Sequence, residues 1–179
     1  ALISRVLAGL RYEIITVDPG VFTFYYTREK VREKLAKEKY LYLVGSVVDT
    51  TFKQLKYVRG KNTFKVIPLN PIDLLEEKNL ISISKDVTEK IKNSTHTHIA
   101  ISTFDLDNRV ILDLFKIAEE KGIIVDNVSK MINLSLAKIA KYVLENAKIK
   151  GIFSSGGDTT LSFLLDNSAK GIELIDEVM

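Results

Sequence analysis

The chain contains no cysteine. Disulfides, thiol chemistry and cysteine-ligated zinc are therefore excluded. No apolar run approaches the roughly 20 residues that a membrane-spanning helix needs. No segment has the charged, apolar and small-residue layout of a signal peptide. The expectation is a protein of a reducing cytoplasm. One-sided charge is also missing: the formal net charge is +3 over 179 residues. That excess is small and scattered, so nucleic acid is not an expected partner. Glycine-rich dinucleotide spacing, a serine-histidine-aspartate order, internal repeats and low-complexity tracts are absent too. What remains is an ordinary globular composition, 46% hydrophobic and 27% charged, long enough for one domain with a core. The chain begins at Ala1 rather than methionine, and we expect it to be part of something longer.

The most informative stretch runs from Lys150 to Leu165. An apolar strand, Gly151–Ser155, should pass through Gly156 and Gly157 into a helix starting near Asp158. Paired glycines allow backbone dihedrals closed to other residues and a close approach to a ligand. Asp158 is placed to cap the helix, with Thr159 and Thr160 in its first turn. The unpaired N–H groups of a helix start can hold a phosphate. An ordinary strand-to-helix turn would need much the same residues, and both readings stand.

The rest alternates between strand and helix patterns. Helical spacing over Ala1–Arg11 precedes a buried strand, Tyr12–Val17, closed by a turn at Asp18. Thr27 should cap a charge-laced helix over 28–39. Strands follow at Tyr40–Ser46, Thr63–Pro68 and His98–Thr103. A helix should run from Thr50 or Thr51 to about Arg59. Asp73–Asn79 is ambiguous, and Ser84 should cap a helix over 85–92. Phe104–Asn108 reads as a loop, and 109–121 as a helix stopped by Gly122. Val128–Lys148 should be the longest helix. Gly171–Ile175 is a last strand or a short helix. This rhythm predicts one α/β domain over 1–179, a three-layer α/β/α sandwich with a mostly parallel, Rossmann-like sheet.

In such sheets, ligands gather at the carboxyl ends of the strands. Three strands end in small polar residues: Gly45-Ser46, Ser102-Thr103 and Ser154-Ser155-Gly156-Gly157. If the strands are parallel neighbours, these tips line one rim. Ser46 could then hold a phosphate or ribose oxygen, or be a plain turn serine. Asp158 beside a phosphate would need magnesium or water between them. Asp49, Asp105 and Asp107 follow strand ends and are weaker magnesium candidates. His96 and His98 have no evident third ligand and fit surface or edge positions. No protein metal site and no catalytic residue is assigned.

Three stretches, in register, resemble the four-carbon acid sugar kinase family in its C-terminal nucleotide-binding domain. They are Leu43-Val-Gly-Ser-Val-Val-Asp-Thr-Thr-Phe-Lys-Gln-Leu55, Ser154-Ser-Gly-Gly-Asp-Thr-Thr-Leu161 and Gly171-Ile-Glu-Leu-Ile-Asp-Glu-Val178. The resemblance implies ATP and magnesium as cofactors, with ATP contacts at Ser46, Gly156, Gly157, Asp158 and Thr159. It adds a looser contact near Ser102 and Thr103. It also implies a four-carbon sugar acid as acceptor, of the threonate, erythronate or 3-oxo type. The family's N-terminal substrate domain has no counterpart here, so the chain alone is expected to bind nucleotide and turn over slowly. A homo-oligomer is left open. Two other readings remain: a non-catalytic sensing or assembly domain, and an unrelated dinucleotide enzyme, which the missing Gly-x-Gly-x-x-Gly disfavours.

Overall fold

A computed structural model describes residues 25–27, 29–30, 38–103, 105–107 and 113–173. The helix expected at Ala1–Arg11, the strand at Tyr12–Val17 and the Asp18 turn lie outside them. So does the end of the last predicted segment, beyond Glu173.

Among the described residues, four strands form one parallel sheet: β1 (Lys39–Val44), β2 (Phe64–Pro68), β3 (His98–Ser102) and β4 (Ile149–Ser155), in the order β2-β3-β1-β4. Beyond the helical residues 25–27 and 29–30, the described helices are α1 (Asp49–Arg59), α2 (Glu77–Lys92), α3 (Leu114–Lys121), α4 (Val125–Asn146) and α5 (Gly157–Asp166). A 3-10 turn, Asp73–Leu75, precedes α2 and occupies the ambiguous stretch.

Side chains alternate across each strand, and the two faces differ in chemistry. Leu41, Leu43, Ile67, Ile99 and Ile101 point to one face. There they pack with Leu80, Val87 and Ile91 of α2, Leu136, Ile139 and Val143 of α4, and Phe163 of α5. Val44 and Ala100 point to the other face, where Leu55 of α1 and the partly buried Tyr42, Phe64 and Val66 join them. Right-handed crossovers account for the split. The connections β2→β3 and β3→β4 cross the sheet in one direction, carrying α2 and α4 to the aliphatic face. The connection β1→β2 runs the other way and leaves α1 on the aromatic face. The three-layer expectation holds.

Several local expectations are corrected. Tyr25–Thr27 is already helical, so Thr27 is no cap, and Lys39 opens β1 rather than ending a helix. Ser84 is buried inside α2, not at its start; it shares the inward stripe with Leu80, Val87 and Ile91. Its carbonyl accepts from the Thr88 hydroxyl at 2.7 Å, which satisfies a second buried polar group. α4 starts at Val125 rather than Val128 and spans 22 residues. Gly122 does end α3, with φ +64°. The carboxylate of Asp113 caps that helix by accepting from the amides of Phe115 and Lys116.

His98 is neither at the surface nor at an edge. It lies half-buried in β3, an interior strand, bonded through Nδ1 to the Tyr42 hydroxyl at 3.0 Å and stacked with Tyr40 and Phe64. His96 is tied to Ser94. Both belong to the amino-terminal end of the sheet, away from the rim.

Candidate functional site

Parallel pairing decides where the strand tips fall. Val44 pairs with Ser102 of β3 on one side and Ser155 of β4 on the other, and Pro68 of β2 pairs with Ser102. The three small polar tips therefore sit side by side at one end of the sheet. The ladder continues one step past β1, where the Gly45 amide donates to the Ser155 carbonyl at 3.3 Å.

Gly156 makes the turn from β4 into α5. Its φ is +108°, a region that side chains disfavour, so the chain can change direction within a single residue. A Cβ there would lie 3.2 Å from Thr159 Oγ1 and 3.4 Å from the Ser46 amide nitrogen. The bend after β4 thus rests directly against the tip of β1. Gly157 differs: a Cβ on it would meet nothing within 4 Å, and it faces open space.

The tight bend also corrects the role expected of Asp158. The N-cap position belongs to Gly156, no side chain caps α5, and Asp158 stands exposed in the first turn. The first backbone bond of the helix runs from the Thr160 amide to the Gly156 carbonyl, at 2.9 Å. The amides of Gly157, Asp158 and Thr159 have no intrahelical acceptor, as in any first turn. The positive end of the helix dipole and this exposed carboxylate thus meet at one place.

Thr159 is the reverse of Asp158, with 1% of its surface exposed. Its hydroxyl donates to Asn133 Oδ1 of α4 at 2.7 Å. Its side chain faces inward, so only its backbone remains for the rim. Thr160 bonds to the Gly156 carbonyl and to Ser154 Oγ, both at 2.8 Å. The Ser46 hydroxyl accepts from Thr51 Oγ1 of α1 at 3.1 Å, so α1 holds the serine tip in turn.

At the third tip, Ser102 is fully buried. Thr103 is 9% exposed, and its hydroxyl has no hydrogen-bond partner among the described residues. A buried orphan hydroxyl at a ligand rim is a polar group for a bound molecule to satisfy.

The weaker acidic candidates are engaged elsewhere. The Arg59 guanidinium bonds Asp107 at 2.7 Å and holds its carboxyl below the usual range. Asp105 Oδ1 accepts from the Asp107 amide at 2.9 Å, closing a local turn. Asp49 lies in the first turn of α1. Among the described residues, no three His, Asp or Glu side chains converge as a metal cage. A magnesium ion here would take most of its oxygens from phosphate and water, which suits its reluctance to dehydrate. No described helix is long and apolar enough to cross a membrane.

Asn133 is the residue that sequence reasoning missed. It sits within the longest helix, between apolar neighbours Ile132 and Leu134, two residues before a buried stretch of three, 135–137, in which only Ser135 is polar. A carboxamide has poor helix propensity, and its place beside the inward stripe was the available signal.

A parallel sheet with a glycine bend and a helix start at its carboxyl rim defines the nucleotide-binding α/β class. The profile of the nucleotide-binding C-terminal domain family matches residues 41–179, and the chain belongs to that family, as the C-terminal domain type of the four-carbon acid sugar kinases. It is 29% identical over 182 residues to a D-erythronate kinase of Heliobacterium modesticaldum. That match takes in 97% of this chain and 40% of the relative, so the chain spans well under half of that kinase's length.

Proposed function

We propose that this chain, acting as one domain, holds ATP for a kinase that phosphorylates a hydroxyl of a four-carbon sugar acid. The acceptor would be of the threonate, erythronate or 3-oxo-tetronate type; the named relative acts on erythronate. The observation that carries the reading is the contact between two tips. Gly156 abuts Ser46, and beside them stands a helix start with open space at Gly157.

In this reading, the amides of Gly157, Asp158 and Thr159 face the phosphate chain, and Ser46 approaches it from β1. Fixed N–H donors suit phosphoryl transfer, which depends on positioning and charge neutralisation more than on covalent chemistry. Magnesium, when bound, supplies the remaining positive charge. Asp158 is the first-turn carboxylate available to orient its water shell. The orphan Thr103 hydroxyl fits a further contact at the third tip. We assign the acceptor and the catalytic base to another part of the kinase, and the whole to the cytoplasm.

Calorimetry with magnesium and ATP tests this on the 179-residue chain. A Cβ at Gly157 meets no atom within 4 Å, so Gly157→Val should leave the fold intact, yet it fills the space at the bend. We expect binding by the native chain and at least a tenfold loss in the variant. Equal binding by both removes the glycine bend from the site. No magnesium-dependent binding by either turns the chain into a sensing or assembly domain.

A further inference from the structure

We infer that Asn133 is a positioning residue, which fastens the bend after β4 to α4 where both pack against the tip of β1, and so sets the spacing of the rim. The inference rests on the nucleotide reading of that rim. Three residues, from three separate elements, meet at one point. Thr159 Oγ1, buried in the first turn of α5, donates to Asn133 Oδ1 on α4 at 2.7 Å. Gly45, between β1 and Ser46, lies against both. A Cβ there would be 2.1 Å from Thr159 Oγ1 and 2.9 Å from Asn133 Oδ1. That position admits no side chain while the Thr159–Asn133 bond stands.

The consequence is mechanical. Ser46 and Gly157 each lie within two residues of a member of this trio, Ser46 directly after Gly45 and Gly157 two residues before Thr159. The α5 start is tied to α4, which packs on the same sheet face as Leu41 and Leu43 of β1, so it cannot leave this place without breaking the Thr159–Asn133 bond, and cannot approach β1 without striking Gly45. Donors that must meet successive phosphates of one ligand need such a fixed separation, because small misplacements weaken all of them together. Asn133 itself needs no contact with the nucleotide for this role.

The test compares variants that keep or lose the hydroxyl–carboxamide bond. Asn133→Ala and Thr159→Val lose it, and Thr159→Ser keeps it. Val143→Ala, on the same helix and fully buried, serves as a stability control away from the rim. We expect Asn133→Ala and Thr159→Val to weaken magnesium–ATP binding about tenfold. Thr159→Ser should stay within about threefold of the native chain, and Val143→Ala should lower Tm while leaving Kd unchanged. If the native chain binds but Asn133→Ala binds as well, the inference fails while the nucleotide reading survives.

A ligand-free measurement separates the two ideas further. Hydrogen exchange in Asn133→Ala should speed up both at the Gly45 amide, bonded to the Ser155 carbonyl, and at the Thr160 amide, bonded to the Gly156 carbonyl. Faster exchange in only one of those turns overturns the fastening, whether or not nucleotide binds.

Discussion

The turns after β1 and β4 meet at the same rim but are built differently. The first takes four residues, Gly45–Val48, to reach its helix, and the second takes one, Gly156. With four residues the direction change is spread out, and Gly45 needs no positive φ. Its lack of a side chain serves a neighbour, since Thr159 and Asn133 occupy the space where a Cβ would go. With one residue the whole change falls on Gly156, which takes φ +108°. One glycine is required by packing and the other by backbone geometry, so substitutions at the two should fail in different ways.

The largest effect is expected at Gly45. Gly45→Ala puts a methyl 2.1 Å from a buried hydroxyl and should cost about 2–3 kcal/mol by overpacking, read as a lower denaturation midpoint. Adding Thr159→Ala should return part of that loss, because the nearest clashing atom, Thr159 Oγ1, is gone. If the double variant is no more stable than Gly45→Ala alone, the difference between the two turns is not one of packing.

Gly156→Ala should come next, at about 1–3 kcal/mol from backbone strain. Here Thr159→Ala should give little rescue, because the cost lies in φ; an equal rescue at both glycines would erase the distinction.

The smallest effect is expected at Asp158. It caps nothing, so Asp158→Asn should change stability by no more than about 0.3–1 kcal/mol, the scale of a first-turn charge. Binding should show the sign of its role. ATP without magnesium should bind Asp158→Asn at least as well as the native chain, since a repulsive charge is removed. ATP with magnesium should bind it less well. A variant that gains in both conditions would show that Asp158 has no part in holding the ion.

Much of this arrangement was legible before the fold was known. The alternation of short apolar runs with amphipathic segments predicts parallel pairing, and the glycine and serine endings mark the rim. Length and composition could not reveal what the side chains at the helix starts were doing. Asp158 has the right identity and spacing for a cap, but the positive φ of Gly156 moves the cap position two residues earlier. Ser84 also looks like a cap, yet it fills a buried spot in an inward stripe, where its carbonyl accepts from the Thr88 hydroxyl. His98 stands two residues from His96 like a metal pair, and instead completes an aromatic layer across three strands. Asn133 was hidden for the opposite reason: one of several polar residues in a long helix, it looks like solvent-facing surface until the partner across the interface is known.

The long helix α4 carries two fastenings two residues apart. Asn133 reaches the bend after β4, while Ser135 donates to the Leu74 carbonyl, in the turn that follows β2, at 2.6 Å. The turns beyond an outer strand on each side of the sheet are thus anchored to one stiff rod. A displacement at either would drag the other with it, so the carboxyl end of the sheet is built to shift as one body rather than loop by loop.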